Sequence, residues 1–390
     1  MMRLAAHLRD RWKQARADER GVALVIAAGS MLALTSVVAL AIDVGMLYTV
    51  RTEAQRVADG ASLAGAGALI QSPDNTLLAT QEAMKFGGMN SVGNRPANVL
   101  AEDVDVDTNL DQVTVTVLRT AERGNPVQTF FARVFGVNVV DVAAVATAEA
   151  SEAGGINCPL PVAVPDRWYE AGGPGNDPRT FDPDEGDEYV PWFTGTLDDP
   201  VYNDAYTGYG TQDIGAPFVL TTNSPNGGLN LSWYYPWRPD ETFGADEYRD
   251  GVSTCIDPSK VFYVGIQVDT EPGNMAGPTM QGFQDAIDSD PSAVWNESLN
   301  CIVDSGLQWS SDVSHCRTSS RVRPIPMFDP TQAPELGAKP FTFTNFAGIF
   351  IESIQGKNVN ARWVGYTGLR PAPAGAHTAG PLFRALRLVE

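Results

Sequence analysis

The chain has 390 residues, 43% of them hydrophobic, and a formal net charge of −20, enough for two or three packed units besides a membrane helix. Lys and Arg are nowhere clustered after residue 20, which excludes nucleic acid as a partner, because phosphate neutralisation needs such clusters. The acidity serves solubility and does not suit the bulk of the chain to binding anionic lipid.

The leader HLRDRWKQARADERG precedes an apolar run, Val22–Ile42, of 21 residues without a charge. At 1.5 Å rise per residue a helix of that length spans about 30 Å, the thickness of a bilayer's hydrocarbon core. Residues 1–20 carry six Lys/Arg against Asp10, Asp18 and Glu19, a net +3, which leaves −23 on the remainder. Basic residues flanking a membrane segment stay cytoplasmic. Residues 1–21 therefore read as a cytoplasmic basic leader, 22–42 as a transmembrane helix in a bacterial inner membrane, and the bulk as periplasmic. A cleavable signal has a shorter apolar region, about 7 to 15 residues, so the run is expected to remain as an anchor. Gly21 followed by Val22 is a candidate prepilin-type processing site, although the glutamate that pilins carry at the fifth mature position is replaced by Ile26.

The helical pattern continues from Asp43 to Leu69. Arg51, Gln55 and Asp59 form a polar stripe beside a narrow face of Val50, Ala54, Val57, Ala61, Ala64 and Ala68. Ala54, Ala58, Ala61, Gly65 and Ala68 are candidates for a helix-packing surface, since small residues let another backbone approach; they serve equally well for packing on the protein's own sheet. ERGVALV, AIDVGMLY and RTEAQRVADGASLAGAGAL together resemble the N-terminal region of TadG-like proteins of the Flp (tight adherence, Tad) pilus assembly system. Gln55, Ala58, Asp59, Ala61, Leu63, Ala64, Gly65 and Ala66 match that pattern place for place.

Residues 43–150 are expected to form a pilin-like α+β module. Leu77–Met89 reads as a short helix, and Val99–Val106 with Gln112–Leu118 as paired strands with Val113, Val115 and Val117 on one face. VQTFFARVFG reads as a helix with Phe130, Phe131, Val134 and Phe135 on one side and Gly136 as its stop; Val139–Ala148 reads as a third strand. Helices then lie on one face of a small antiparallel sheet.

SEAGG at 151–155 marks a boundary, after which seven of the eight Trp occur. Residues 151–390 are expected to form a β-rich, loop-rich domain, with strands at Leu160–Val164, Phe218–Thr222, Val261–Gln267, Val322–Phe328, Phe341–Ile351 and Val359–Tyr366. One helical patch, Gln281–Val303, is interrupted by Pro291. The fold class is thus α+β, with a single transmembrane helix leading into a pilin-like module and then a disulfide-containing β-rich domain. Cys158, Cys255, Cys301 and Cys316 all lie in that last part, and an even number outside the cytoplasm points to disulfides. Sequence proximity favours Cys158 with Cys255 and Cys301 with Cys316 among the three connectivities. CPLPVAVPDRW, RVRPIPMFDP and the pair FAGIFIESIQG with VNARWVGY resemble recurring segments of TadG-like exported parts. The Asp-x-Ser-x-Ser motif of the von Willebrand A domain that many relatives carry is absent, so its metal is not carried over.

His7, His315 and His377 show no HExxH or triad spacing, and no GxSxG, P-loop or GxGxxG follows a strand. Asp182, Asp184 and Asp187 are a weak calcium candidate, because carboxylates on a loop supply oxygen ligands; the EF-hand glycine falls one place early, at Gly186. Trp233, Tyr234, Tyr235 and Trp237 either stack on a ligand or form a core. Together these readings lead us to expect a non-enzymatic, membrane-bound assembly component or minor pilus subunit without cofactor or small-molecule substrate. It would act through helix packing on other pilus or Tad-system membrane proteins. The alternative is a membrane-anchored binding protein or hydrolase using the Trp-rich domain.

Overall fold

The computed structural model describes residues 19–72, 75–169, 179–189, 209–210, 213–222, 229–239, 244–255, 257–273, 275–335, 337, 339–369 and 382–389. The chain divides into two compact units built from interleaved stretches. One gathers the chain up to Ala58 with Gly87–Val99 and Thr116–Val145; the other gathers Asp59–Phe86, Leu100–Val115 and everything from Ala146.

Helix α1, Glu19–Gln71, runs without a break through the apolar stretch and beyond it. In the first unit it is joined by two small hairpins. Ser91–Val92 pairs with Arg95–Pro96 across Gly93 and Asn94, both at positive φ (58° and 59°), as a two-residue I′ turn demands. Glu53 on α1 secures that turn by accepting a bond from the Gly93 amide at 2.7 Å. Val127–Gln128 pairs with Val139–Val140, and a single 3-10 turn, Ala132–Phe135, closes the tip. Here the sequence-based helix over VQTFFARVFG gives way to a finger: its ends pair as strands, and Gly136 at φ 87° ends the one helical turn.

Helix α2, Thr76–Gly88, follows α1 and belongs to the second unit as far as Phe86. Five strands lie in the order Tyr366–Thr367, Phe383–Val389, Val142–Glu152, Gln112–Arg119, Val104–Asp107. Val113, Val115 and Val117 are buried, as the alternating pattern requires, and Val104–Asp107 pairs antiparallel with Gln112–Val115. Gly65 on α1 faces this sheet so closely that a Cβ there would come within 2.8 Å of Val113.

A second sheet runs Pro217–Thr222, Asn358–Val364, Pro340–Gln355, Gln267–Thr270, Trp233–Arg238, Val162–Pro165, Val322–Phe328. It closes on itself, because Val322–Phe328 also pairs with Pro340–Gln355, and Pro217–Thr222 with Trp233–Arg238. Closure removes open edges. Trp237, Phe262 and Phe343 pack edge to face at 5.0 and 5.1 Å in the core. Helices α3 (Ala245–Ser253) and α4 (Ala276–Ser289) cross where Gly282 meets Val252, an approach only glycine permits, since a Cβ would lie 2.6 Å from the Arg249 carbonyl oxygen.

The helical patch expected over Gln281–Val303 stops at Ser289. Beyond Pro291 the chain forms a β-hairpin, Ala293–Asn296 with Cys301–Asp304, and the Cys301–Cys316 bridge (Cα–Cα 5.8 Å) ties it to the following segment. Cys158 and Cys255 are bridged as well, at 4.9 Å between Cα atoms.

Candidate functional site: the helix from Val22 and its surroundings

Among the described residues none covers the most apolar window of α1, and Val22, Leu24, Leu32, Leu34 and Val37 are all exposed. The helix is long and apolar enough to cross a membrane. Two of its few polar side chains bond within the helix: Thr35 donates to the Met31 carbonyl at 2.9 Å and Ser36 to the Leu32 carbonyl at 2.8 Å. Hydrocarbon demands such internal pairing. Gly21 and Val22 are exposed and already helical.

The first charge after the run, Asp43, is buried at 2% exposure. Its Oδ1 accepts from the Phe130 amide at 2.9 Å, and its Oδ2 from Phe131 at 2.9 Å and Ala132 at 2.6 Å. These amides are the unpaired donors at the start of the 3-10 turn, where a negative charge is favoured. Desolvation raises the Asp43 pKa, and the three amides with Arg133 outweigh it, leaving the carboxyl below its ordinary value. Nothing local in the sequence marks this role, because the bonding partners of Asp43 lie 87 to 89 residues further on.

Above Asp43 the helix changes character. Ala54, Ala58 and Ala61 are fully buried, and Gly65 and Ala68 are buried too. The neighbours of Gly65 belong to the same chain, Val113 and the Ala79 carbonyl, while Gly60 lies against Phe86. These small residues thus pack within the chain itself. Gln55, on the polar stripe, donates to the Val145 carbonyl at 3.0 Å.

The other candidates resolve into structural roles. Asp187 accepts from the Asp182 amide at 2.8 Å and Asp182 from the Asp184 amide at 2.9 Å, so these carboxylates hold their own turn. Among the described residues no three His, Cys, Asp or Glu groups converge on a metal position, which leaves the calcium candidate unsupported. Tyr234, Tyr235 and Trp237 are core residues, and Trp237 donates through Nε1 to the Leu160 carbonyl at 2.9 Å. His315 bonds Ser310 Oγ at 2.7 Å; His7 and His377 lie outside the described residues. A cavity of about 310 Å³ beside Trp295 and Tyr366 is lined by Arg317, whose guanidinium is held by Asp290 and Asp304, each at 2.8 Å.

The segments that resemble recurring TadG-like stretches turn out to be neighbouring strands. Val164 and Pro165 pair with Met327 and Phe328, and Val322–Phe328 with the strand containing Phe346–Phe350. Arg321 and Arg323 anchor them: Arg323 donates to the carbonyls of Gly251, Val252 and Thr254, capping the C-terminus of α3. Asp166, at 1% exposure, accepts from Asn345 at 3.1 Å, from Tyr189 at 3.2 Å and from the Arg167 amide at 2.9 Å. Burial outweighs these bonds and pushes its pKa up to about 6.

Residues 21–68, well short of half the chain, match the family model described as putative Flp pilus-assembly TadE/G-like. That match falls on the stretch carrying the TadG-like resemblance and supports it. No curated protein and no solved structure matches the chain.

Proposed function

We propose that the chain is a membrane-anchored, pilin-like component of a Tad/Flp pilus assembly system. Val22–Ile42 holds it in a bacterial inner membrane, with the leader in the cytoplasm and the bulk in the periplasm. The observation that carries this reading is the apolar half of α1, which the described residues leave uncovered, followed in the same helix by a half that the chain itself buries. Transferring that half from water to hydrocarbon is favoured by roughly 25 cal/mol per Å² of apolar surface, so exposure to water is not its resting state. The partners are other membrane proteins of the pilus system, met through the exposed span and the surfaces of the exported part, and not through Ala54–Ala68. The reading assigns the chain no catalytic role. The rival reading, a ligand site in the Trp-rich domain, loses its motivating feature because those aromatics form a core.

Two measurements test the reading. Alkaline phosphatase fused to the C-terminus of the full chain is expected to be active and a fluorescent protein there to be dark; the reverse pattern overturns the orientation. In cells that rely on this chain for piliation, replacing Val22–Ile42 by a cleavable secretion signal is expected to abolish pili while the exported part accumulates. Normal piliation in that strain overturns the role of the anchor.

A further inference from the structure

The finger between Val127 and Val140 is chemically unlike the rest of this acidic chain. Phe130, Phe131, Val134, Phe135, Val137 and Val139 are all exposed, Val134 at 80% and Phe135 at 74%. Arg133 is the one charge among these residues. The backbone around them is largely satisfied from within. The Thr129 amide bonds the Asn138 carbonyl at 3.1 Å, Val134 bonds Phe131 at 3.0 Å, Gly136 bonds Arg133 at 3.0 Å and Val137 bonds Ala132 at 3.2 Å. Asp43 takes the amides of Phe130, Phe131 and Ala132. Arg133 turns its Nε back to the Phe130 carbonyl at 2.6 Å. Apolar side chains on a backbone with few free polar groups suit a lipid environment far better than water.

The height of the finger is fixed as well. Asp43 directly follows the apolar run, so the residues it holds lie at the level where the hydrocarbon core ends. Val44 and Tyr48 on α1 are exposed at the same end, and a tyrosine about 8 Å beyond the core, five residues on, sits where interfacial aromatics collect.

We propose that the Phe130–Val139 tip inserts into the periplasm-side interface of the membrane that α1 spans, giving the protein a second, shallow contact beside its helix. The inference rests on the reading of Val22–Ile42 as a membrane span. Lipid is favoured over a protein occupant by the continuity of the tip with the span through Asp43 and by its few polar side chains, Arg133 and Asn138, set among six exposed apolar ones. Phe and Val enter the interfacial layer while the long Arg133 side chain reaches the headgroups, so zwitterionic lipid is sufficient. The local apolar chemistry makes the tip an exception to the acidic bulk.

The test uses the full chain in phosphatidylcholine vesicles. Because its four native cysteines form two bridges, a nitroxide can be placed on a single added thiol in Val134→Cys, Phe135→Cys, Val38→Cys or Glu122→Cys. Collisions with oxygen, which concentrates in lipid, are compared with those with a water-soluble nickel chelate. Labels at 134 and 135 are expected to favour oxygen several-fold, as the label at 38 does, while the label at 122 favours nickel. The proposal is overturned if 134 and 135 behave like 122 while 38 stays in lipid. It is equally overturned if they are shielded from both reagents, the mark of a protein occupant. A label at 38 that favours nickel defeats the membrane reading itself and the tip proposal with it.

Discussion

Asp43 and Asp166 are both buried carboxylates, and their surroundings drive them in opposite directions. Three amides hold Asp43 in its charged form, so its stabilising contribution is complete above the ordinary carboxylate value of 3.8 and is lost as pH falls through its lower folded-state value. Hydrogen exchange at Phe131 and Ala132 is expected to show that loss, and Asp43→Ala should remove the protection at neutral pH. Asp166 has the other sign. Its pKa rises from 3.8 to about 6, the folded chain binds the proton more tightly, and stability declines as pH climbs through that window. The decline amounts to about 3 kcal/mol, and it should vanish in Asp166→Asn when unfolding by urea is followed from pH 4 to 7. Gly65→Val would drive a methyl into Val113 and the Ala79 carbonyl. Overpacking of this kind costs about 1 to 3 kcal/mol, visible as a lower urea midpoint, so lost piliation in such a variant would report misfolding and not a missing assembly contact. The identity of these residues was plain in the sequence, but the sign of each effect was not, because Phe131, Asn345 and Val113 become neighbours only on folding.

Among the elements, those with a strong local period were legible. The alternation in Gln112–Arg119, the apolar run of α1 and the strands Val322–Phe328 and Asn358–Val364 follow their patterns. Elements that depend on distant partners were misread. VQTFFARVFG has helical spacing, yet its ends are claimed by the Val127–Val140 ladder and its middle by Asp43. AVWNESLNCIVD continues the apolar content of α4, yet Pro291 and the pairing of Trp295 with Ile302 make it a hairpin. The strand Phe383–Val389 went unread, since its alternation is weak and it is fixed by pairing with Thr147–Glu152. The two disulfides act at this scale. They close segments separated by 15 and 97 residues, for which the chain-entropy account gives about 3 and about 4.7 kcal/mol. Cys301→Ser is therefore expected to lower the unfolding free energy of the full chain by about 3 kcal/mol, and Cys158→Ser by more, as read from urea titrations.

For the whole molecule, the sequence by itself determined the long apolar helix and the charge pattern around it. Length, the uncharged run and the reversal of charge across it require no folding partner, because hydrophobic transfer and charge retention act on contiguous residues. The even cysteine count and the absence of catalytic motifs are likewise properties of the string. Tertiary structure decided which surfaces are free. The Ala/Gly face of α1 suited either another helix or the chain's own sheet and is buried within the chain, while VQTFFARVFG, with helical spacing, became a finger whose Phe130, Phe131, Val134 and Phe135 stand exposed. Of the aromatic cluster, Tyr234, Tyr235 and Trp237 became core with Trp233 half-buried, and the segments resembling those of relatives became adjacent strands. Burial is a relation between residues far apart in the chain, and no local pattern encodes whether a small or an aromatic face will find its cover within the same molecule or outside it.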